Sequence, residues 1–309
     1  MNSLESLISD IKRLGIQEND TVFVRISYKA VGDTEGGPKT VIDALLSVIG
    51  NNGTLIATAF PRRILSYQKE KYKESLYVKG MKPTTGAIPV VMSQYPNAFF
   101  SSHPISPYVA IGGKAKEITD FHTPHKDSYD VVQYLIQNCN CKCLRVGGRV
   151  LDGTTHLAFT EGLKNTNSFQ KRLSKGNYYI DDKGEKKWME RNVSAFCYDG
   201  FEKFFFEKVY NHPGAVLSEG KIGEGKAMLT DMGVTLAIER EYIAVDPKVL
   251  LCESPTCRLC RTSYSYSDQT FFTYTLHQLK YLFKPNSFKK TFARIVATYN
   301  ELKRGNKCQ

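Results

Sequence analysis

Thr21-Val22-Phe23-Val24-Arg25-Ile26-Ser27, then Gly36-Gly37-Pro38, then Thr40-Val41-Ile42-Asp43-Ala44-Leu45-Leu46-Ser47-Val48-Ile49, then Gly53-Thr54-Leu55-Ile56-Ala57-Thr58-Ala59-Phe60: this run decides the fold. Its first and last pieces are strand-length apolar runs rich in β-branched residues, bounded by turn residues. Between them the apolar positions recur at helical spacing, and Gly50-Asn51 stops the helix. Strand, glycine loop, helix and strand make a βαβ unit, and that unit points to an α/β fold. The loop has chemistry of its own. Glycines ahead of a helix let backbone N–H groups approach an anion, and Lys29 and Lys39 lie nearby in sequence. Neither GxxxxGK[ST] nor GxGxxG is present, so an ordinary turn reads equally well there.

Upstream, Leu4, Leu7, Ile8, Ile11 and Leu14 follow a helical spacing that Gly15 ends. Downstream, residues 62–82 are polar and rich in Tyr and Lys, as in a long surface excursion or a lid. Order resumes at Pro83-Thr84-Thr85-Gly86, and Ser101-Ser102-His103-Pro104-Ile105-Ser106 turns into a strand ending at Gly112. Residues 131–136 read as an apolar helix. Cys139-x-Cys141-x-Cys143 alternates as one face of a strand would. Residues 172–191 suggest a polar hairpin around Asp181-Asp182-Lys183-Gly184, residues 198–210 a helix, and residues 220–245 a mixture of short elements.

The strand at Cys143-Leu144-Arg145-Val146 runs into Gly147-Gly148, and Asp152-Gly153-Thr154-Thr155-His156 opens a helix. Asp152 and His156 lie four apart, so on a helix they share a face, and a carboxylate there can orient an imidazole. This is the arrangement of a general base. Asp152 reads as a helix cap on the same spacing, and His156 as a satisfied core residue.

The whole chain sets further bounds. Its 309 residues suffice for one large α/β domain or two smaller ones. No run approaches the roughly 18 apolar residues of a membrane helix, and Met1-Asn2-Ser3-Leu4-Glu5 lacks a signal pattern, which leads to a cytoplasmic expectation. The eight cysteines need no disulfide framework in that setting. Cys252, Cys257 and Cys260 are spaced so that thiolates could hold zinc, with His277 or Cys308 as a fourth ligand. The second CxxC pair of a strong zinc signature is missing, and no metal is expected. A formal charge of +11 favours anionic partners such as phosphorylated small molecules, nucleic acid or acidic lipid.

In order and spacing these motifs resemble the aminoglycoside 3-N-acetyltransferase (antibiotic N-acetyltransferase) superfamily over residues 14–251. The resemblance rests on Asp20-Thr21-Val22-Phe23-Val24 with Ser27, Gly36-Gly37-x2-Thr40-Val41-Ile42-Asp43-Ala44-Leu45, Gly53-Thr54-Leu55, Thr85-Gly86, His103-Pro104 with Ile111-Gly112, Asp127-Ser128 and Asp152-x3-His156. It implies a three-layer α/β/α sandwich, distinct from the GNAT acetyltransferases, and transfer of an acyl group from coenzyme A to an amine. His156 corresponds to the family's base, with Asp152 as its acidic partner. The resemblance implies that the thioester cofactor lies along the segment with Ser27, Gly36 and Gly37; Lys29, Thr85 and Gly86 are further candidates to hold it, and His103 with Ser106 candidates to contact the acceptor. Arg25-Ile26-Ser27 departs from the family's His-Ser-Ser, Asp152-Gly153 from its Asn-Thr. Phe159 stands where an acidic residue is usual, and Glu161 could replace that acid only if the helix turned differently.

A base is needed because an amine at neutral pH is mostly ammonium and cannot attack a thioester until it loses a proton. The tetrahedral intermediate then needs donors for its oxyanion, for which Thr85 and Ser27 are candidates. Charge bears on the acceptor. Aminoglycosides are polycations, whereas a +11 chain favours an anionic amine, so a nucleotide-linked amino sugar of surface-polysaccharide assembly is the first expectation and aminoglycoside modification the second. The sequence divides into an acyltransferase domain, residues 1–251, and a basic, aromatic, cysteine-containing extension, residues 252–309. In that extension Lys280, Lys284, Lys289, Lys290 and Arg294 interleave with Tyr281, Phe283, Phe288, Phe292 and Tyr299. Such a pattern suits peripheral membrane or RNA contact, and equally a helix packing its aromatics and solvating its lysines. A homo-oligomer is compatible with all of this.

Overall fold

The computed structural model describes residues 1–148, 153–162, 174–190, 196–264, 267 and 269–282. In chain order these form α1 (Leu4–Arg13), β1 (Thr21–Ile26), α2 (Tyr28–Val31), α3 (Pro38–Ile49), β2 (Thr54–Thr58), β3 (Ile64–Leu65), α4 (Ala87–Met92), β4 (Phe99–Phe100) and β5 (Tyr108–Gly112). Then come α5 (Ala115–Phe121), α6 (Asp130–Cys139), β6 (Lys142–Val146), α7 (Thr154–Gly162), β7 (Lys175–Ile180) and β8 (Lys186–Glu190). After α8 (Tyr198–Phe204), which runs on as a π-helical turn (Phe205–Val209), follow β9 (Val216–Ile222), β10 (Gly225–Asp231), α9 (Met232–Val245) and α10 (Phe271–Leu282).

Seven strands make one sheet in the order β4-β5-β2-β1-β6-β10-β9. β1 runs parallel to both β2 and β6, with Thr21 opposite Thr54 and Val24 opposite Leu144, while the flanking pairs are antiparallel. Side chains of β1 alternate between two cores, as the period-two pleat requires. Val22 and Val24 join the apolar faces of α1, α3 and α4, while Phe23 joins the core beneath α5 to α9. The result is a helix layer on each face of a mixed sheet, the expected α/β/α sandwich. The βαβ unit, the N-terminal helix and the 181–184 hairpin all form as expected.

Elsewhere the structure corrects the sequence reading. Residues 139–143 do not form one strand face: Cys139 ends α6, Asn140 turns the chain in the left-handed region (φ 45°), and only Cys143 lies in β6. Residues 220–245 are not short mixed pieces but the end of β9, the seven-residue β10 and the 14-residue α9. Asp231 separates strand from helix by accepting the Val234 N–H as an N-cap. The 62–82 segment is anchored, since β3 pairs with β7, Leu76 bridges to Tyr178, and β3-β7-β8 form a small second sheet. Residues 252–264 contribute Cys252, Cys260 and Tyr264 to the same buried core as Phe159, Phe196 and Phe201. Most of the basic and aromatic tail, from residue 283 onward, lies outside the described residues. Among the described residues, no helix is long and apolar enough to cross a membrane.

Candidate active site

The strand order places a crevice before any side chain is considered. β1 is followed by α3 and β2 on one side, and its other parallel neighbour, β6, comes much later in the chain. At such a switch point the connections leave in opposite directions, which opens a crevice outside the carboxyl ends of the strands. A cavity of about 750 Å³ lies there, lined by Arg25, Ser27 and Lys29 after β1, by Thr58 at the end of β2, and by Gly147 and Gly148 after β6.

Gly147 makes that close packing feasible. Its backbone lies in the left-handed region (φ 59°), and a Cβ on it would sit 2.2 Å from Cβ of Ala30 in α2. The Ser27 N–H donates to the Val146 carbonyl (2.9 Å), closing the β1 end against β6. The Ser27 side chain makes no capping bond to α2, and the residue lines the cavity.

His156 also lines the cavity. It lies in the first turn of α7, whose residues 154–159 are all buried, and is itself 7% exposed. Three rings pack on it: Phe196 edge-on at 4.1 Å between centroids, Phe201 edge-on at 5.5 Å and Tyr129 tilted at 5.2 Å. α7 is anchored one residue earlier, where Thr155 donates its hydroxyl to the fully buried carboxylate of Glu239 on α9. Asp152, the expected acidic partner, lies outside the described residues. Glu161 does not reach the imidazole. It forms a two-pronged ion pair with Arg240 (2.6 and 2.7 Å) on a partly exposed surface, because five residues of helix turn it away from His156.

The other expected site residues separate into two groups. Ser27, Lys29, Thr85 and Gly86 line the cavity, with the Thr85 hydroxyl donating to the Thr58 carbonyl (2.6 Å). Gly36 and Gly37 are not among the lining residues. Both have left-handed φ, and their loop is fastened to a lining residue through Tyr28 Oη, Thr34 Oγ1 and the Gly37 carbonyl. Lys39, close to that loop, pairs with Asp43 along α3 (2.6 Å).

His103 and Ser106 are also absent from the lining, and both are buried. His103 Nδ1 accepts the Ile105 and Ser106 N–H groups, and its ring stacks on His122 at 4.6 Å and 3°. Burial pushes His103 down to about 4 and His122 down to about 3, so both rings are neutral at physiological pH. Asn177 of β7 donates to the Pro104 carbonyl (2.9 Å), so this turn couples the small sheet to the large one.

The sequence reading missed several lining residues: Arg25, Tyr28, Phe60, Arg63, Tyr129 and Tyr198. Arg25 carried a signal, being a cation at the end of a buried strand two residues before Ser27. The aromatic residues carried none, since nothing local separates a wall from a core. Among the described residues the lining holds the cations Arg25, Lys29 and Arg63 and no Asp or Glu.

These features define a class: a three-layer α/β protein with a crevice at its switch point, lined by an imidazole together with hydroxyl, backbone and cationic groups. The family described as aminoglycoside 3-N-acetyltransferase matches residues 23–244, and the chain belongs to that family. It is 31% identical over 140 residues to aminoglycoside N(3)-acetyltransferase III of Serratia marcescens, covering 40% of this chain and 50% of that protein. It is 25% identical over 249 residues to aminoglycoside N(3)-acetyltransferase IX of Micromonospora chalcea, covering 72% and 87%. The chain spans about half the length of the first curated relatives it matches. In fold it is similar to the AAC-IIIb structure in binary complex with CoASH, with a TM-score of 0.66 and 21% identity over 79% of this chain and 97% of that one.

Proposed function

We propose that this chain transfers an acetyl group from acetyl-CoA to an amino group of an aminoglycoside-type amino sugar, with His156 as the general base. One observation carries the reading: a histidine buried among aromatic rings still lines the crevice that Ser27, Gly147 and Gly148 also line. The relatives' names and the CoASH complex of a protein of this fold support the donor and the acceptor class.

The residues present suit such a donor. Lys29, Arg25 and Arg63 offer positive charge to its phosphates, and the strand-end glycines let the backbone lie close to its extended arm. The donor supplies a thioester carbonyl and a thiolate leaving group. His156 takes the proton from the attacking nitrogen as the N–C bond forms, and the C–S bond breaks as the tetrahedral intermediate collapses. Ser27, whose hydroxyl is not spent on a cap, is the better oxyanion donor, because the Thr85 hydroxyl already serves the Thr58 carbonyl. Asp152, one turn before His156 in sequence, would orient the imidazole. A cytoplasmic setting, with reduced cysteines, belongs to this reading.

One observation favours a second acceptor. A wall carrying Arg25, Lys29 and Arg63 and no described carboxylate suits an anionic amine, such as an amino sugar linked to a nucleoside diphosphate, better than a polycation. Thiol release decides between them, with acetyl-CoA and longer acyl-CoAs tested against kanamycin- and gentamicin-type aminoglycosides and nucleotide-linked amino sugars. Turnover with aminoglycosides alone supports the first reading, turnover with the nucleotide sugars alone the second. Undiminished turnover in His156→Ala would remove the base from both.

A further inference from the structure

Four cysteines outside the crevice converge. The Sγ atoms of Cys197, Cys252, Cys257 and Cys260 all lie within 4.8 Å of one another, and the Cys197 and Cys257 sulfurs are 3.6 Å apart. Four ligands about 2.3 Å from a central zinc form a tetrahedron with edges of about 3.8 Å. The observed spacing is close to that edge and far longer than an S–S bond of about 2.0 Å. Cys252, Cys257 and Cys260 lie beyond residue 244, where the family match ends. We propose that Cys197, Cys252, Cys257 and Cys260 form a closed structural zinc site that fastens residues 252–260 to the start of α8.

The surroundings suit thiolate ligands. Cys257-x2-Cys260 sits on a tight turn in which the Cys257 N–H donates to the Ser254 carbonyl and the Arg261 N–H to the Cys257 carbonyl. The Cys252 N–H donates to Cys260 Sγ (3.3 Å), as backbone amides do around thiolates held on a metal. Four thiolates around Zn²⁺ leave a net charge of two negative. The Arg261 guanidinium, which donates to the Cys252 and Ser254 carbonyls, places a cation beside it. Cys197, Cys252 and Cys260 are buried and Cys257 is partly so. Binding would displace the remaining thiol protons to solvent and change no oxidation state.

Cys197 was invisible as a ligand in the sequence because it lies 55 residues before Cys252. Cys197 supplies the fourth sulfur; His277 is exposed on α10, and Cys308 lies outside the described residues. All four ligand positions are filled by sulfur, so such a site keeps no open position for a substrate and plays no part in the acyl transfer. Its effect on the crevice is mechanical. Phe196, the neighbour of Cys197, is the ring nearest His156, so the ion would brace that wall.

The test is elemental analysis of the full-length protein purified with its thiols reduced, together with visible spectroscopy after exchange into cobalt. Expected are about one zinc per chain and the thiolate-to-cobalt charge-transfer bands of a tetrahedral sulfur site. Cys257→Ser should lower the metal content at least several-fold, while Cys143→Ser leaves it unchanged. Cobalt spectra of the unaltered chain keep the test valid if Cys257→Ser fails to fold. Chains that take up neither zinc nor cobalt while reduced, or a metal content unaffected by Cys257→Ser, would overturn the site.

Discussion

At His156 the imidazole packs against the rings of Phe196, Tyr129 and Phe201, so its position depends on them. His156→Ala should lower kcat for acyl transfer by about 10²- to 10⁴-fold, with circular dichroism and thermal midpoint showing a folded chain. Ser27→Ala should reduce kcat by up to about 10²-fold with little change in the KM for the donor, the mark of a bond made only in the transition state. Equal losses in kcat and donor affinity would assign Ser27 to binding instead. The strand-glycine-helix pattern around His156 was legible because β6 and α7 are continuous in sequence. The Phe196 wall was not, since that residue arrives from forty positions further on. His103 lies apart from the lining for a related reason: its His-Pro pair is a buried turn, and burial cannot be read from the pair itself.

At the scale of elements, the stacked pair His103 and His122 joins the β5 edge to α5 and the small sheet. Both rings have folded-state values below the ordinary 6.5, so the unfolded chain binds more protons in that range. Their neutral-form stability is complete above about pH 6.5 and is lost as pH falls towards about 4 and then 3. Urea midpoints measured from pH 7 to pH 4 should therefore fall, and His122→Asn should flatten the slope. A variant profile parallel to the native one would clear the pair of that role. Helix α7 depends on a different contact, Thr155 on Glu239. Thr155→Val should cost about 1–3 kcal/mol in equilibrium unfolding by withdrawing a donor from a buried carboxylate. The boundaries of β10 and α9 escaped the sequence reading because α9 buries the polar Thr235 and Glu239 on its covered face and exposes Val245, which leaves little helical contrast, whereas α1 and α3 show a clear apolar stripe.

For the whole molecule, the chain's charge of +11 is represented at the crevice by Arg25, Lys29 and Arg63. Raising ionic strength should increase the KM for acyl-CoA progressively, with kcat nearly unchanged, as the donor's phosphates are screened. A KM indifferent to salt would mean that these cations face something else. An α/β fold was readable because one βαβ unit carries the central strand β1, while the three-layer sandwich followed from the family resemblance. The strand order around it was not, since β6, β10 and β9 join β1 through pairings that no local pattern records.

The small sheet β3-β7-β8 adds a consequence for how such proteins diversify. Arg63 stands at the crevice immediately before β3, and the sheet reaches the large one through Asn177 and Tyr77, which grip the Pro104 and Ser101 carbonyls. Selection can therefore remodel the rim as a cassette, altering which guest is admitted while the α7 imidazole, carried on a different element, stays in place.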